Sequence, residues 1–266
     1  MRPRTLGPLL VILLFLLPSG ASASFLYVPR TPRSTGMGGS DAFLEGGSLF
    51  ISPVGLVETG VELRSGFSRP FGLDGVSLGW IQGSFGRGWF SAGSGIGKFS
   101  AEGYGEMTAL FSFAARRMRG EALGVTLKFM ETYVGQDEPE VTYGIDCGMK
   151  KTWRFICAGI GFRNINFPEP QCLGPGPEIM VGLGIAPKRD LLLAVELERE
   201  LGEMFEPRAG IEVKFSPNLY LRGGFFLEPT RITSGIGFSF GKMQFDYSYL
   251  THEELGGTHD FSVGVR

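Results

Sequence analysis

The sequence predicts an all-β fold: a transmembrane antiparallel β-barrel of about 14 strands with a short N-terminal plug-like segment. Three observations carry this expectation. First, large apolar residues alternate with charged ones. Leu191, Leu193, Val195 and Leu197 share one face of a segment, as do Ile211, Val213 and Phe215, and then Ile232, Ile236, Phe238 and Phe240. The opposite faces carry Glu196, Glu198, Arg208, Glu212, Lys214, Arg222 and Asp246. A period of two is a strand with two different surroundings. Second, the pattern recurs along almost the whole chain in segments of about ten residues, the length of a tilted strand crossing a bilayer; a soluble sandwich alternates too, but without that recurrence. Third, the connections mostly alternate between long and short, as extracellular loops alternate with periplasmic turns in such barrels.

Taken from the start, the chain opens like a secretory signal. Arg2 and Arg4 form a positive region, residues 9–17 are unbroken apolar, residues 18–20 break the run, and Ala21-Ser22-Ala23 fits a small-x-small cleavage site. The apolar run is too short to span a bilayer as a helix. Without a Cys in the position that lipidation needs, cleavage after Ala23 is expected, an uncleaved anchor being the alternative. The division is therefore residues 1–23 as signal, 24–56 as plug or periplasmic segment, and 57–266 as barrel.

Runs bounded by turn residues place strands near 58–67, 75–84, 88–98, 104–115, 121–131, 140–149, 153–163, 178–186, 190–199, 207–215, 218–227, 230–240, 242–250 and 258–266. Alternation assigns Glu62, Arg64, Glu106, Lys128, Asp146, Glu196, Glu212, Lys214, Arg222 and Asp246 to the lumen. Glu196, Glu212, Lys214 and Arg222 fall on three consecutive strands, which predicts a ladder of opposite charges along the inner wall. Short turns carry Lys or Arg, long loops carry acids such as Asp137, Glu138, Glu203, Glu206, Glu253 and Glu254, and both termini are expected on the turn side. Residues 24–56 are rich in Gly and lack a period of two. A barrel of this size is too wide for its own side chains to fill, so this segment is expected to enter the lumen or close its mouth, or else to hang as a loose tail.

Glycine is heavily over-represented, 42 of 266 residues, without a collagen period, which on an inner wall relieves crowding. The formal charge of −2 and the absence of a basic stripe argue against a nucleic-acid partner. Cys147 and Cys157 fall on opposite faces and Cys172 in a loop, so three unpaired fillers are expected rather than a disulfide.

Catalytic chemistry finds little support. Of the two histidines, His252 lies in a loop, and His259 and Ser262 fall on opposite faces of one strand, which denies a nucleophile–base contact. Residues 93–98, Gly-Ser-Gly-Ile-Gly-Lys, look like a phosphate loop, but Ala92 replaces the first glycine, Phe99 stands where Ser or Thr is required, and no helix follows. No His or Cys cluster has metal-ligand spacing. The expectation is a non-enzyme with no cofactor and no metal.

Two stretches resemble a known family. Residues 33–39, Arg-Ser-Thr-Gly-Met-Gly-Gly, followed by residues 52–56, Ser-Pro-Val-Gly-Leu, resemble the N-terminal signature of PorV/PorQ proteins, which usually read Met-Gly-Gly-Ala and Asn-Pro-Ala-Gly-Leu. Residues 245–249 with Leu255, Gly256, Gly257, Thr258, His259 and Ser262 resemble the family's closing hairpin. Ser40, Ser52 and Val54 depart from it, and the chain ends at Val265-Arg266 without a terminal aromatic. The motif residues Gly36, Met37, Gly38, Gly39, Pro53, Gly55, Leu56, Thr258 and His259 read as structural. The resemblance implies a relative of the long-chain fatty-acid channel FadL: an outer-membrane barrel with an inner N-terminal segment. It would be a passive channel for small hydrophobic compounds, with sideways release through a kink or gap in the wall. Alternatives are a type IX secretion accessory that holds secreted cargo, or a purely structural barrel. The implied partners are outer-membrane lipid, a hydrophobic small molecule, the barrel-assembly machinery and, for the accessory, secreted protein.

Overall fold

The computed structural model describes residues 27–56, 58–117, 120–135, 137–166, 175–253 and 255–266. The expected signal and its cleavage site, Cys172 and Glu254 lie outside the described residues.

The strands are β1 (Gly60–Arg69), β2 (Ser77–Arg87), β3 (Phe90–Ala101), β4 (Tyr104–Arg117), β5 (Glu121–Val134), β6 (Glu140–Trp153) and β7 (Ile156–Arg163). They continue as β8 (Glu178–Lys188), β9 (Leu191–Glu200), β10 (Glu206–Ser216), β11 (Leu219–Phe226), β12 (Arg231–Phe240), β13 (Met243–Leu250) and β14 (Thr258–Val265). Each pairs antiparallel with its sequence neighbours, and β1 pairs with β14, closing a 14-stranded barrel. Closure leaves no unpaired edge, the condition for a sheet to exist in lipid.

The two faces differ as the alternation requires. Val61, Leu63, Ile96, Phe111, Leu123, Val195, Phe238 and Phe261 point outward and are exposed, an apolar surface that only lipid can cover. On the short-turn side Trp89, Trp153, Phe155, Phe215 and Phe240 are exposed, forming an interfacial aromatic girdle. A charge placed among the outward residues therefore faces hydrocarbon. Val195→Arg is expected to cost about 2–4 kcal/mol in denaturant unfolding from vesicles. The same charge at Thr142, half-buried on the inner face of β6, is expected to cost a small fraction of that. Equal losses would overturn the facing.

Several expected boundaries move by two to four residues, as at the ends of β3, β5 and β6. The turn expected at 150–152 belongs to β6, which runs on to Trp153, and β4 reaches Arg117. Backbone pairing continues past the apolar band, because strand ends emerging into water lose the hydrophobic signal before they lose their ladder. Residues 93–98 lie inside β3, not in a phosphate loop.

Residues 27–56 are packed in the lumen. Thr31 caps a five-residue helix, α1 (Pro32–Gly36), by accepting from the Ser34 N–H, and α1 lies against β11–β14. Gly38 and Gly39 have positive φ (64° and 71°), which lets the chain reverse at the end of α1. A 3-10 turn at Pro53–Gly55 leads into β1. The segment starts at the long-loop end, where Tyr27 stacks on Phe99, and reaches the short-turn end, where Glu45 pairs with Arg266. Tyr27 and Arg266 therefore sit at opposite ends of the barrel, and the N-terminus itself lies outside the described residues.

Candidate functional site: the plugged lumen

The wall receives the plug on glycines. A Cβ on Gly93 would stand 2.7 Å from Leu56 and 2.8 Å from Leu49; one on Gly95 would stand 3.1 Å from Phe50. Phe43 lies over Gly159 and Gly182, with 2.3 and 2.6 Å to their hypothetical Cβ atoms. At Gly210 and Gly224 the approach is backbone to backbone, 2.1 Å to the Met37 carbonyl oxygen and 2.3 Å to the Gly38 nitrogen. The glycine richness of the chain thus makes room for a second layer of polypeptide. Met37 and Leu56 are fully buried, as is Phe50 to within 1%. Pro53 packs over Gly124, and Gly55 over Leu44 and Ala42. An Arg at inward Gly182 or Gly237 would meet crowding whatever its polarity, because Phe43 occupies the first position and Asp246 with Arg222 the second.

Charges sew the plug to the wall. The Arg33 guanidinium donates to both Glu212 carboxylate oxygens (2.9 Å each) and to the Glu45 carbonyl (2.9 Å). Arg222 donates to Glu212 (2.7 Å) and Asp246 (2.6 Å), and Gln244 donates to Asp246 (2.8 Å). The expected ladder therefore exists with different members. It runs Arg33, Glu212, Arg222, Asp246; Lys214 stands instead over the Tyr220 ring (5.7 Å), and Glu196 belongs to another group. Lys214 sits near the short-turn end of its strand, where the Tyr220 ring takes its ammonium, while Arg33 and Arg222 take the Glu212 carboxylate.

The second group lies toward the long loops. Arg163 pairs with Glu178 and with Glu198 (2.5 Å), Arg208 with Glu198 and Glu206, Arg30 of the plug with Glu198 (3.2 Å), and Arg231 with Glu206 (2.8 Å). Glu196 accepts from the Ala42 N–H (3.2 Å), with Arg208 3.9 Å away. Arg163, Glu178, Glu198 and Arg30 were absent from the expected site. Alternation already placed the strand residues inward; Arg30 carries no such signal.

The remaining expected residues are spread around the same inner wall. Glu62 pairs with Arg64 (2.7 Å), which donates to the Gly46 carbonyl of the plug (2.8 Å). Glu106 accepts from Tyr104 (2.5 Å). Lys128 pairs with Asp146 (2.8 Å), and both bond Asn164. Thr258 accepts from the Phe71 N–H (3.0 Å), while His259 faces outward, its Nδ1 2.9 Å from the Tyr247 hydroxyl. Cys147 and Cys157 are free; Cys157 faces the plug at the Phe43 carbonyl. Among the described residues no group of three or more His, Cys, Asp or Glu is placed to hold a metal.

Two spaces remain. A vestibule of about 780 Å³ opens toward the long loops, lined by Tyr27, Arg30, Glu198, Glu206, Phe226 and Asp260 among others. Below it a closed cleft of about 30 Å³, room for about one water, lies between plug and wall. Val28, Phe50, Leu78, Phe99 and Met130 line most of its apolar side. Burial pushes the Tyr27 phenol up to about 12, so it remains a neutral group at the cleft mouth. The wall has no open gap: every neighbouring strand pair is hydrogen-bonded among the described residues. Where β7 is short, the upper half of β6 pairs instead with residues 165 and 166, through the Ile165 N–H (2.9 Å) and the Asn166 side chain (2.7 and 2.8 Å).

The barrel is similar in fold to several solved structures. The barrel superimposes on CymD, a monoaromatic hydrocarbon channel, with a TM-score of 0.68 at 12% identity, covering 91% of this chain and 97% of that one. The Pseudomonas putida toluene transporter TodX gives 0.66 at 10%, covering 88% and 96%. A Pseudomonas aeruginosa FadL homologue gives 0.61 at 10%, covering 89% and 98%. This chain has the FadL-type barrel fold. No protein-family model and no curated protein matches the sequence.

Proposed function

We propose that this protein is an outer-membrane channel that passes small hydrophobic compounds, with the long loops outside and the short turns in the periplasm. The observation that carries the reading is the cleft under the vestibule, where Val28 and Phe50 of the plug face Leu78, Phe99 and Met130 of β2, β3 and β5, with Glu106, Lys128, Arg163 and Glu178 around them. A solute entering from the loop side meets Tyr27, Phe99 and Phe50, large apolar surfaces that favour its transfer from water. The present cleft is too small for such a solute, so passage requires the plug to shift. The names of the fold neighbours, hydrocarbon channels and a toluene transporter, support the same class of solute.

Liposomes carrying the protein are expected to take up toluene faster than empty ones, and Phe50→Arg, which places a charge in the cleft, is expected to abolish the difference. Deleting residues 27–47 is expected to leave a folded barrel with raised conductance in planar bilayers, since nothing else is long enough to fill the lumen. Uptake equal to empty liposomes, or a folded truncation with unchanged conductance, would sink the reading.

A further inference from the structure

The short-turn mouth of the barrel contains a second cavity, of about 470 Å³, that the plug and the vestibule do not share. It lies across three consecutive turns, those joining β6 to β7, β8 to β9 and β10 to β11. Arg154, Lys188, Arg189 and Lys214 line it, with Leu192 and Tyr220 as an apolar floor. Two carboxylates are present, Asp190 and Glu212, and Glu212 is already held by both Arg33 and Arg222. Four cations therefore face a cavity with one uncommitted acid. This contrasts with the rest of the inner wall, where Arg64, Lys128, Arg163, Arg208 and Arg222 all pair with carboxylates.

The backbone is irregular at the same place. Among the described pairings the ladder shifts register between Ile185 and Lys188, and again between Lys214 and Ser216. Both shifts fall at this cavity, and such bulges re-aim side chains. Arg154 has φ of 43°, a conformation costly for a residue with a Cβ, and the neighbouring Phe155 carbonyl is fixed by the Ala186 N–H (2.7 Å). Two bulges and a strained arginine converge on one pocket of unpaired positive charge above an apolar floor.

The geometry points to a binding site for an anionic amphiphile: a carboxylate or phosphate head held by Lys188, Arg189, Lys214 and Arg154, with an apolar body against Leu192 and Tyr220. The head takes charge-assisted hydrogen bonds from the cations, and the body covers the floor. Such an anion comes from two sources, a free solute leaving or entering the lumen, or the headgroup of an anionic phospholipid in the adjoining leaflet. The site rests on the channel reading only for what a free anion would be doing there. Binding is measured without flux, so the two readings fail separately.

The test uses the full chain in nonionic detergent and titrates phenyl phosphate, inorganic phosphate and benzyl alcohol by calorimetry. Phenyl phosphate is expected to bind more tightly than either of the others, each of which offers half of the recognition. The triple variant Lys188→Gln, Arg189→Gln, Lys214→Gln is expected to bind phenyl phosphate about tenfold or more weakly, since three of the four cations that hold the head are lost. Arg87→Gln with Lys242→Gln, exposed cations in other turns, is expected to leave binding unchanged. Equal weakening by the two variants would reduce the site to diffuse rim charge and overturn it. So would benzyl alcohol or inorganic phosphate binding as tightly as phenyl phosphate. In nanodiscs, displacement of phenyl phosphate by phosphatidylglycerol, but not by phosphatidylcholine, would assign the site to a lipid headgroup. Retention of phenyl phosphate in both would assign it to a free solute.

Discussion

Replacing Arg222 by Leu is expected to lower the stability of the folded barrel by about 3–5 kcal/mol, the cost of breaking a buried ion pair from one side. Arg222 is 6% exposed and bridges Glu212 to Asp246, so its loss leaves Asp246 buried with Gln244 as its remaining neutral donor. Glu212 keeps its bidentate partner Arg33, which places the expected loss at the lower end of the range. The double variant Arg222→Leu, Asp246→Leu removes both charges and is expected to recover part of the loss, because a neutral pair of similar size has no uncompensated charge to bury. Arg189→Leu, in an exposed turn, is expected to change stability by less than about 0.5 kcal/mol. Denaturant unfolding from lipid vesicles measures all three. A loss for Arg222→Leu no larger than that for Arg189→Leu would mean that the wall does not depend on this ladder.

Gly210→Ala and Gly224→Ala are expected to unseat the plug, although each adds one methyl group. The added carbon would stand 2.1 Å from the Met37 carbonyl oxygen in the first and 2.3 Å from the Gly38 nitrogen in the second. Those neighbours are backbone atoms, so no side chain can rotate away, and overpacking of this kind exceeds the usual cost of about 1–3 kcal/mol for an extra methylene. The wall itself is held by its own ladder and by lipid, so the plug gives way first. The expected readouts are protease cleavage within residues 27–56 and conductance raised several-fold with the barrel still folded. Gly79→Ala is the control, since a Cβ there meets nothing within 4 Å. A variant with wild-type protease resistance and conductance would show that the plug does not rest on these glycines.

The loop joining β13 to β14 carries a titratable group whose state is already set. Burial, with Arg231 adding to it, holds the His252 imidazole below its ordinary range, so the ring is neutral at neutral pH beside Phe71 and Thr258. A group with a depressed folded value favours the folded arrangement above that value and disfavours it as the ring gains its proton. The loop between β13 and β14 is therefore expected to loosen as pH falls below the ordinary histidine range and the ring gains its proton, and His252→Gln to remove that dependence. Hydrogen-exchange protection factors of residues 251–258, corrected for the intrinsic rate at pH 5 and 7.5, measure it; identical protection at the two values in the wild type would refute the coupling.

Much of the barrel was legible because each strand's two faces are chosen by local surroundings. Lipid outside and a polar lumen inside impose a period of two that residues such as Leu191–Leu197 or Phe111–Phe113 display without knowledge of their partners. The expected strands meet the observed ones to within a few residues, and the lumen-facing charges are found on the inner wall. The candidate site was legible only in part. Glu212 and Arg222 share a face by alternation, but that Arg33 reaches between them from 179 residues away in sequence is invisible to any pattern.

What the sequence determined by itself was the secondary structure, the face of each strand and the presence of a segment that could not be a strand. Those are properties of neighbouring residues and of the solvent each one must meet. Only the tertiary structure decided the path of residues 27–56, which inward glycines are occupied, which carboxylate each arginine holds, and that the wall is closed. Those depend on closing the sheet into a cylinder. Closure brings β1 beside β14 and sets Gly210 and Gly224 against Met37 and Gly38, contacts that form between residues with no local reason to meet.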